Sequence, residues 1–361
     1  MRWAFVILAM LSLTVLGLGC SKDQAPTPVG TQTSHEFEAA PPVQSIAPPQ
    51  YFTTYWTARG FSMETIDVVH GVGVPYLDDV ILDQPEGKGY TAGLGLTFDL
   101  DGSVYFINNW LFGPNPYLAE LSKIDLQTGE LTVIAEINNH FCGSEIDACG
   151  NLYTVGFQPP NPPNPELYFS PLYADKLCLI DKYTGAVTPI GNGTGLVDVM
   201  DLAFDSHGTL WATTDNKMYT IDLESGVATW VSDITNVPPA PPGEPYPMMI
   251  MSIAFDEHDV LYGTAIVGFS QTSVWISPIM RIDPYTGAGT LLGYSELGYN
   301  HGGDTMPATV RVAHRLGNGT FRCINISMSA LAEHLAHGDY VPGTAGHDCN
   351  CPDPKAPTVT E

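Results

Sequence analysis

Short apolar runs punctuated by Asp and Gly recur along this chain from about residue 90 onward. One half of the pattern reads apolar pair, Asp, two variable residues, Gly, then an apolar-aromatic run. It occurs as "LTFDLDGSVYF" (96–106), "SEIDACGNLYT" (144–154), "LAFDSHGTLWA" (202–212) and "IAFDEHDVLYG" (253–263). The other half reads apolar run, Ile-Asp, variable residues, Gly, then a second run. Its copies are "SKIDLQTGELTVI" (122–134), "CLIDKYTGAVTPI" (178–190), "YTIDLESGVATWV" (219–231) and "MRIDPYTGAGTLL" (280–292). Runs this short, rich in aromatic and β-branched residues and bounded by turn residues, predict strands rather than helices. Each copy is therefore two hairpins, or four strands, and the chain is all-β.

Turn chemistry explains the fixed polar positions. Asp99, Asp147, Asp205 and Asp256 open turns that Gly102, Gly150, Gly208 and, in the fourth copy, Asp259 close. An Asp side chain caps nearby backbone amides and Gly accepts positive φ. Asp125, Asp181, Asp222 and Asp283 stand in the same relation to Gly129, Gly185, Gly226 and Gly287. A ring of calcium-binding aspartates is the alternative, but turn formation already accounts for these residues.

Four-stranded units repeating every ~50 residues resemble the blades of a β-propeller. The resemblance covers residues 60–305 and implies four visible blades; residues 52–90 with 293–310 could form a degenerate fifth that closes the ring. The blade pattern is similar to that of streptogramin-lyase-like and gluconolactonase-like propellers, whose catalytic sets are not visible in this chain.

In such a blade the two Asp-Gly turns lie on one face, and the connections between the second and third strands and between blades lie on the other. The long insertions all belong to that second face. They hold Trp110, Phe112, Tyr117, Phe157, Tyr168, Phe169, Tyr246 and Trp275, aromatics set among prolines that form a rigid apolar surface at low entropic cost. Asn108, Asn109, Asn138, Asn139 and His140 accompany them, and amides beside aromatics suit a peptide, protein or carbohydrate partner. The alternative is that the aromatics pack on one another to hold the loops down. An enzymatic version, of lyase or hydrolase type, would use His140 or His301 as acid/base with Asp304 as its partner, although no Gly-x-Ser-x-Gly, His-Glu-x-x-His or phosphate loop is present.

After residue 309 the blade pattern stops. "VRVAHRLGNGTFRCINIS" predicts two strands around Gly317-Asn318-Gly319, and "MSALAEHLAHGD" a short helix with Ser327 or Ser329 as cap and Gly338 beyond its end. His334 and His337 are neighbours on one helical face. With His314 they offer three imidazoles, and Cys323 or Asp339 a fourth group, a donor set adequate for zinc. The segment 310–343 resembles a short C-terminal module of exported bacterial proteins, with a Cys-His pair, a Gly-Asn-Gly turn and an ending close to Ala-His-Leu-Ala-His-Gly-Asp. Here Ala313 stands where that module has its Cys. A structural histidine cluster is the plainer reading.

The start of the chain adds a destination. "MRWAFVILAMLSLTVLGLGC" has one basic residue, an apolar run too short for a comfortable span, and small residues before Cys20. It reads as a signal peptide (1–20) with a lipobox-like end, Cys20 being the lipid attachment point, and predicts an outer-membrane or cell-surface lipoprotein, or alternatively a secreted protein. Residues 21–51 form a Pro-rich tether, 52–309 the propeller, and 310–361 the module and tail. In an oxidising compartment the six later cysteines default to disulfides, with Cys142–Cys149 the local pairing and the tail cysteines meeting Cys323 or Cys178. The 13 Lys and Arg against 39 Asp and Glu set a formal net charge of −26, which repels phosphate backbones and argues against nucleic-acid partners. The sequence thus points to an extracytoplasmic binding protein, with a propeller enzyme and a structural envelope protein as alternatives.

Overall fold

The computed structural model describes residues 50–56, 60–81, 91–110, 118–157, 172–214, 216–239, 249–266, 277–295 and 300–344. Four antiparallel four-stranded units follow one another along the chain, the fourth joined at its outer strand to the unit that completes the ring. Blade I contains β4 (Thr91–Phe98), β5 (Val104–Trp110), β6 (Ala119–Ile124) and β7 (Leu131–Ile137); blade II contains β8 (Phe141–Ile146), β9 (Leu152–Gly156), β10 (Leu177–Ile180) and β11 (Val187–Ile190). Blade III contains β12 (Asp201–Phe204), β13 (Leu210–Thr214), β14 (Lys217–Ile221) and β15 (Ala228–Asp233), and blade IV β16 (Met249–Phe255), β17 (Leu261–Ile266), β18 (Ser277–Ile282) and β19 (Gly289–Ser295).

A fifth blade is assembled from both ends of the repeat region. Its innermost strand, β20 (Asn300–Met306), pairs antiparallel with β1 (Gln50–Trp56), which is followed outward by β2 (Gly60–Asp67) and β3 (Val72–Ile81). The innermost strands β4, β8, β12, β16 and β20 each contact the next, and β20 returns to β4, so the ring is closed. The architecture is a β-propeller of five four-stranded blades, and the degenerate fifth blade expected from sequence is the one that closes it.

Burial follows position in the blade. Inner strands β8 and β16 are buried along their whole length, whereas outer strands β7, β15 and β19 mix buried with exposed residues. An inner strand is covered on both flanks by neighbouring blades, and such strands read as continuous apolar runs rather than alternating ones. Five apolar clusters fill the five seams. Phe52, Phe61 and Phe106 mark the seam between blades V and I, Ile107 with Phe141 that between I and II, and Val155 with Leu210 that between II and III. Trp211 with Phe255 marks the III–IV seam, and Tyr51 with Ala254 the IV–V seam.

The turns obey the predicted chemistry. The N–H groups of Gly102, Gly150, Gly208 and Asp259 donate to the carbonyls of Asp99, Asp147, Asp205 and Asp256 at 2.8–3.1 Å, and all four closing residues have positive φ. Asp259, at φ 58°, adopts the left-handed region that Asn and Asp tolerate best after Gly.

Beyond the ring, β21 (Thr309–Arg315) and β22 (Phe321–Ser327) form the expected hairpin, followed by a 3-10 turn at 328–330 and the helix α1 (Leu331–Ala336). Neither serine caps the helix: Ser327 Oγ and Ser329 Oγ bond each other at 3.0 Å, and the N-cap position of α1 is Ala330, with no side-chain cap. The module rests on the Asp-Gly turn face. Leu100 of blade I joins Val310, Val312, Leu331 and Val341 in its core, and Gly150 abuts the carbonyl of Gly343. Among the described residues no helix is long and apolar enough to cross a membrane.

Candidate functional site

On the face where the second strand of each blade ends, β5 carries two neighbouring amides with opposite surroundings. Asn109 shares a face with Ile107 toward blade II, where its Nδ2 donates to the Phe141 carbonyl at 2.7 Å and its Oδ1 accepts the Phe141 N–H at 3.0 Å. Strand alternation turns Asn108 the other way, onto the face of Val104 and Phe106 in the seam with blade V. Its side chain is fully buried, and neither Oδ1 nor Nδ2 has a hydrogen-bond partner among the described residues. Asn139 and His140 lie at the entry to β8 and are also buried. The His140 carbonyl accepts the Phe157 N–H at 2.9 Å, and the two rings are 6.5 Å apart. Phe157 is half-buried against the II–III cluster. Phe112, Tyr117, Tyr168, Phe169, Tyr246 and Cys20, the side chains of Trp110 and His301, and Trp275 lie outside the described residues.

Three carboxyl groups from three inner strands occupy the middle of the ring. Asp201 on β12 reaches two other blades, accepting the N–H groups of Ile253 at 3.0 Å and Gly303 at 3.3 Å. Asp304 on β20 accepts from Phe98 N–H at 2.7 Å, Thr97 Oγ1 at 3.2 Å and Thr305 N–H at 2.6 Å. These acids therefore stitch neighbouring inner strands. Burial pushes the Asp304 carboxyl up to about 6 despite its three donors. Glu145 on β8 is raised well above the usual carboxylate range, first by burial and then by repulsion from Asp304 and Asp201, and its Oε2 has no hydrogen-bond partner among the described residues. The Asp304 carboxylate oxygens are engaged by the Phe98 and Thr305 N–H groups and the Thr97 hydroxyl. Sequence reading passed over Glu145 and Asp201. The available signal was an acid at a position where the other copies have small uncharged residues, since Glu145 stands where they have Thr97, Ala203 and Ala254.

The turn face holds a cavity of about 580 Å³ between blades III and IV, lined among others by His207, Trp211, Arg281 and Tyr285. Nearer the module, Lys182 and Asp99 form a buried ion pair at 2.6 Å that ties blade II to blade I.

In the module, β21 delivers His314, α1 delivers His334, and the turn after α1 delivers Asp339. The Nδ1 atoms of His314 and His334 lie 2.8 and 2.6 Å from Asp339 Oδ2, and Asp339 Oδ1 accepts the Arg315 N–H at 2.8 Å. The carboxylate is fully buried while both imidazoles keep part of their surface, and their rings meet edge to face at 5.5 Å. Burial would raise the Asp339 carboxyl, but the Arg315 N–H and the two imidazoles outweigh it and hold the group at about 2. His337 caps the end of α1 and is exposed, outside this group. Cys142 and Cys178 carry free thiols. This corrects the local Cys142–Cys149 pairing: Cys142 packs in the II–III seam at the start of β8, and Cys149 sits in the turn beyond the strand's far end, farther than a disulfide reaches. Cys323 is disulfide-bonded, to a partner outside the described residues.

No protein-family model and no curated protein matches the chain. Among solved structures, it is similar to a protein of unknown function from Bacteroides caccae, with a TM-score of 0.40 and 11% identity over 72% of this chain and 99% of that one. A periplasmic gluconolactonase from Pseudomonas aeruginosa gives 0.37 and 12%, over 72% and 99% of the two chains. Virginiamycin B lyase from Staphylococcus aureus gives 0.35 and 13%, over 76% and 84%. Similarity this low does not bear on activity, and the propeller assignment follows from the closed ring of sheets.

Proposed function

We infer that this chain is an exported binding propeller, held by a lipid on Cys20, that recognises a protein, peptide or carbohydrate partner on the face opposite the Asp-Gly turns. The observation that supports this reading is Asn108. A buried carboxamide without partners among the described residues costs the fold about 1–3 kcal/mol, a cost that a ligand's polar atoms would relieve. Asn108 opens the first of the long insertions that carry most of the aromatic candidates Trp110, Phe112, Tyr117, Tyr168, Phe169, Tyr246 and Trp275 in sequence. The carboxamide would supply one donor and one acceptor, and the aromatics the stacking area.

Glycan and peptide arrays probed with the full chain test the reading. A ligand found this way should lose about tenfold or more in affinity in Asn108→Ala, equivalent to about 1.4 kcal/mol, while Arg281→Ala leaves it unchanged. A ligand that follows Arg281 and ignores Asn108 would move recognition to the turn-face cavity and overturn the assignment.

A further inference from the structure

We propose that His314, His334 and Asp339 form a divalent transition-metal site of the zinc class that clasps α1 to the β21–β22 hairpin. The donor set carries the inference. Two imidazole nitrogens and one carboxylate oxygen, from a strand, a helix and the following turn, lie within 4.8 Å of one another. Two histidines with one carboxylate are a recurrent zinc ligand combination, and the fourth position stays open to water or an outside ligand. Half-buried imidazoles around a fully buried carboxylate leave that fourth position toward solvent.

The geometry is close to a coordinated one. Zinc bonds of about 2.0–2.2 Å place tetrahedral ligands roughly 3.3–3.5 Å apart. The two Nδ1 to Oδ2 separations, 2.8 and 2.6 Å, would each open by less than about 1 Å, while the donor atoms as a set, now within 4.8 Å of one another, would draw together around the ion. The remaining carboxylate oxygen is already fixed by the Arg315 N–H, the kind of outer contact that orients a metal ligand. On binding, the metal takes each Nδ1 lone pair, so each neutral ring carries its proton on Nε2 instead.

Such a clasp would act beside the disulfide that already staples the module at Cys323 on β22. Its helix is six residues long, lacks a side-chain cap and buries only Leu331, and a helix of that length has little stability of its own. The core it joins contains four buried residues, Val310, Val312, Leu331 and Val341, and units this small commonly rely on a metal or disulfide staple. His337, the neighbour of His334 by sequence spacing, is no part of the set.

The test uses the full chain stripped by chelation and then titrated with zinc by calorimetry and with cobalt by visible absorption. One equivalent should bind, with the cobalt complex showing the intense d–d bands of four-coordinate geometry. His314→Gln and His334→Gln should each weaken binding by more than about 100-fold, beyond the 10–100-fold that loss of an outer-shell partner causes. His337→Ala should bind like the wild type. Absence of stoichiometric binding, or affinity that follows His337 instead of His314 and His334, would overturn the proposal and leave a metal-free His–Asp–His hydrogen-bond cluster.

Discussion

Asp304→Asn removes a titrating group whose native carboxyl is raised from 3.8 to about 6 by burial. Between those values the native state binds more protons than the unfolded chain, so this group makes stability fall as pH rises through that window. At about 1.36 kcal/mol per pH unit the penalty at pH 7 amounts to about 3 kcal/mol, and roughly half of it is relieved by pH 5. Asn keeps one acceptor for the donors of Thr97, Phe98 and Thr305 but cannot titrate, and it also frees Glu145 from the repulsion that helps raise its carboxyl. Urea unfolding of wild type and variant at pH 5 and pH 7 is the assay. The wild type should gain at least about 1 kcal/mol more than the variant on acidification, by the same linkage. Equal pH dependence in the two proteins would show that Asp304 is not raised by burial, because the surface acids of this strongly acidic chain are common to both and cancel in the comparison.

Two further perturbations probe how the parts are joined. Lys182→Met leaves Asp99 buried without its cation and should cost about 3–5 kcal/mol, with Asp99→Asn in the same chain recovering part of it; a loss under about 1 kcal/mol would show that the pair is solvated. Gly150→Ala places a side chain at φ 79° with its Cβ 2.2 Å from the Gly343 carbonyl, so it should loosen the module at a cost of at least about 1 kcal/mol. Hydrogen exchange over residues 310–344 reads this directly, and unchanged protection there would mean that the module does not depend on this contact.

Local rules carried the fold a long way. Asp at the opening and Gly at the closing of each hairpin specify a turn from neighbouring residues alone, so Asp99 through Gly102 or Asp125 through Gly129 could be read without knowing the rest of the chain. The hairpin around Gly317-Asn318-Gly319 was readable for the same reason. The candidate site was less so. Asn108 and Asn109 are adjacent and chemically identical, yet one is paired across a seam and the other has no partner among the described residues, a difference that depends on which blade each faces.

The repeating four-stranded unit is legible in the chain alone, because strand alternation and turn chemistry act within a few residues. Every feature that spans the ring depends on the assembled fold. The last strand of the ring, β20, completes a blade begun by β1 at the opposite end of the repeat region, Asp201 joins three blades, and Asp99 becomes the buried partner of Lys182 instead of a turn residue alone. In the module, helical spacing paired His334 with His337, whereas packing of α1 on the hairpin paired it with His314 and Asp339. Periodicity records which residues share a face of one element; which element that face meets is settled by closure of the ring and docking of the module.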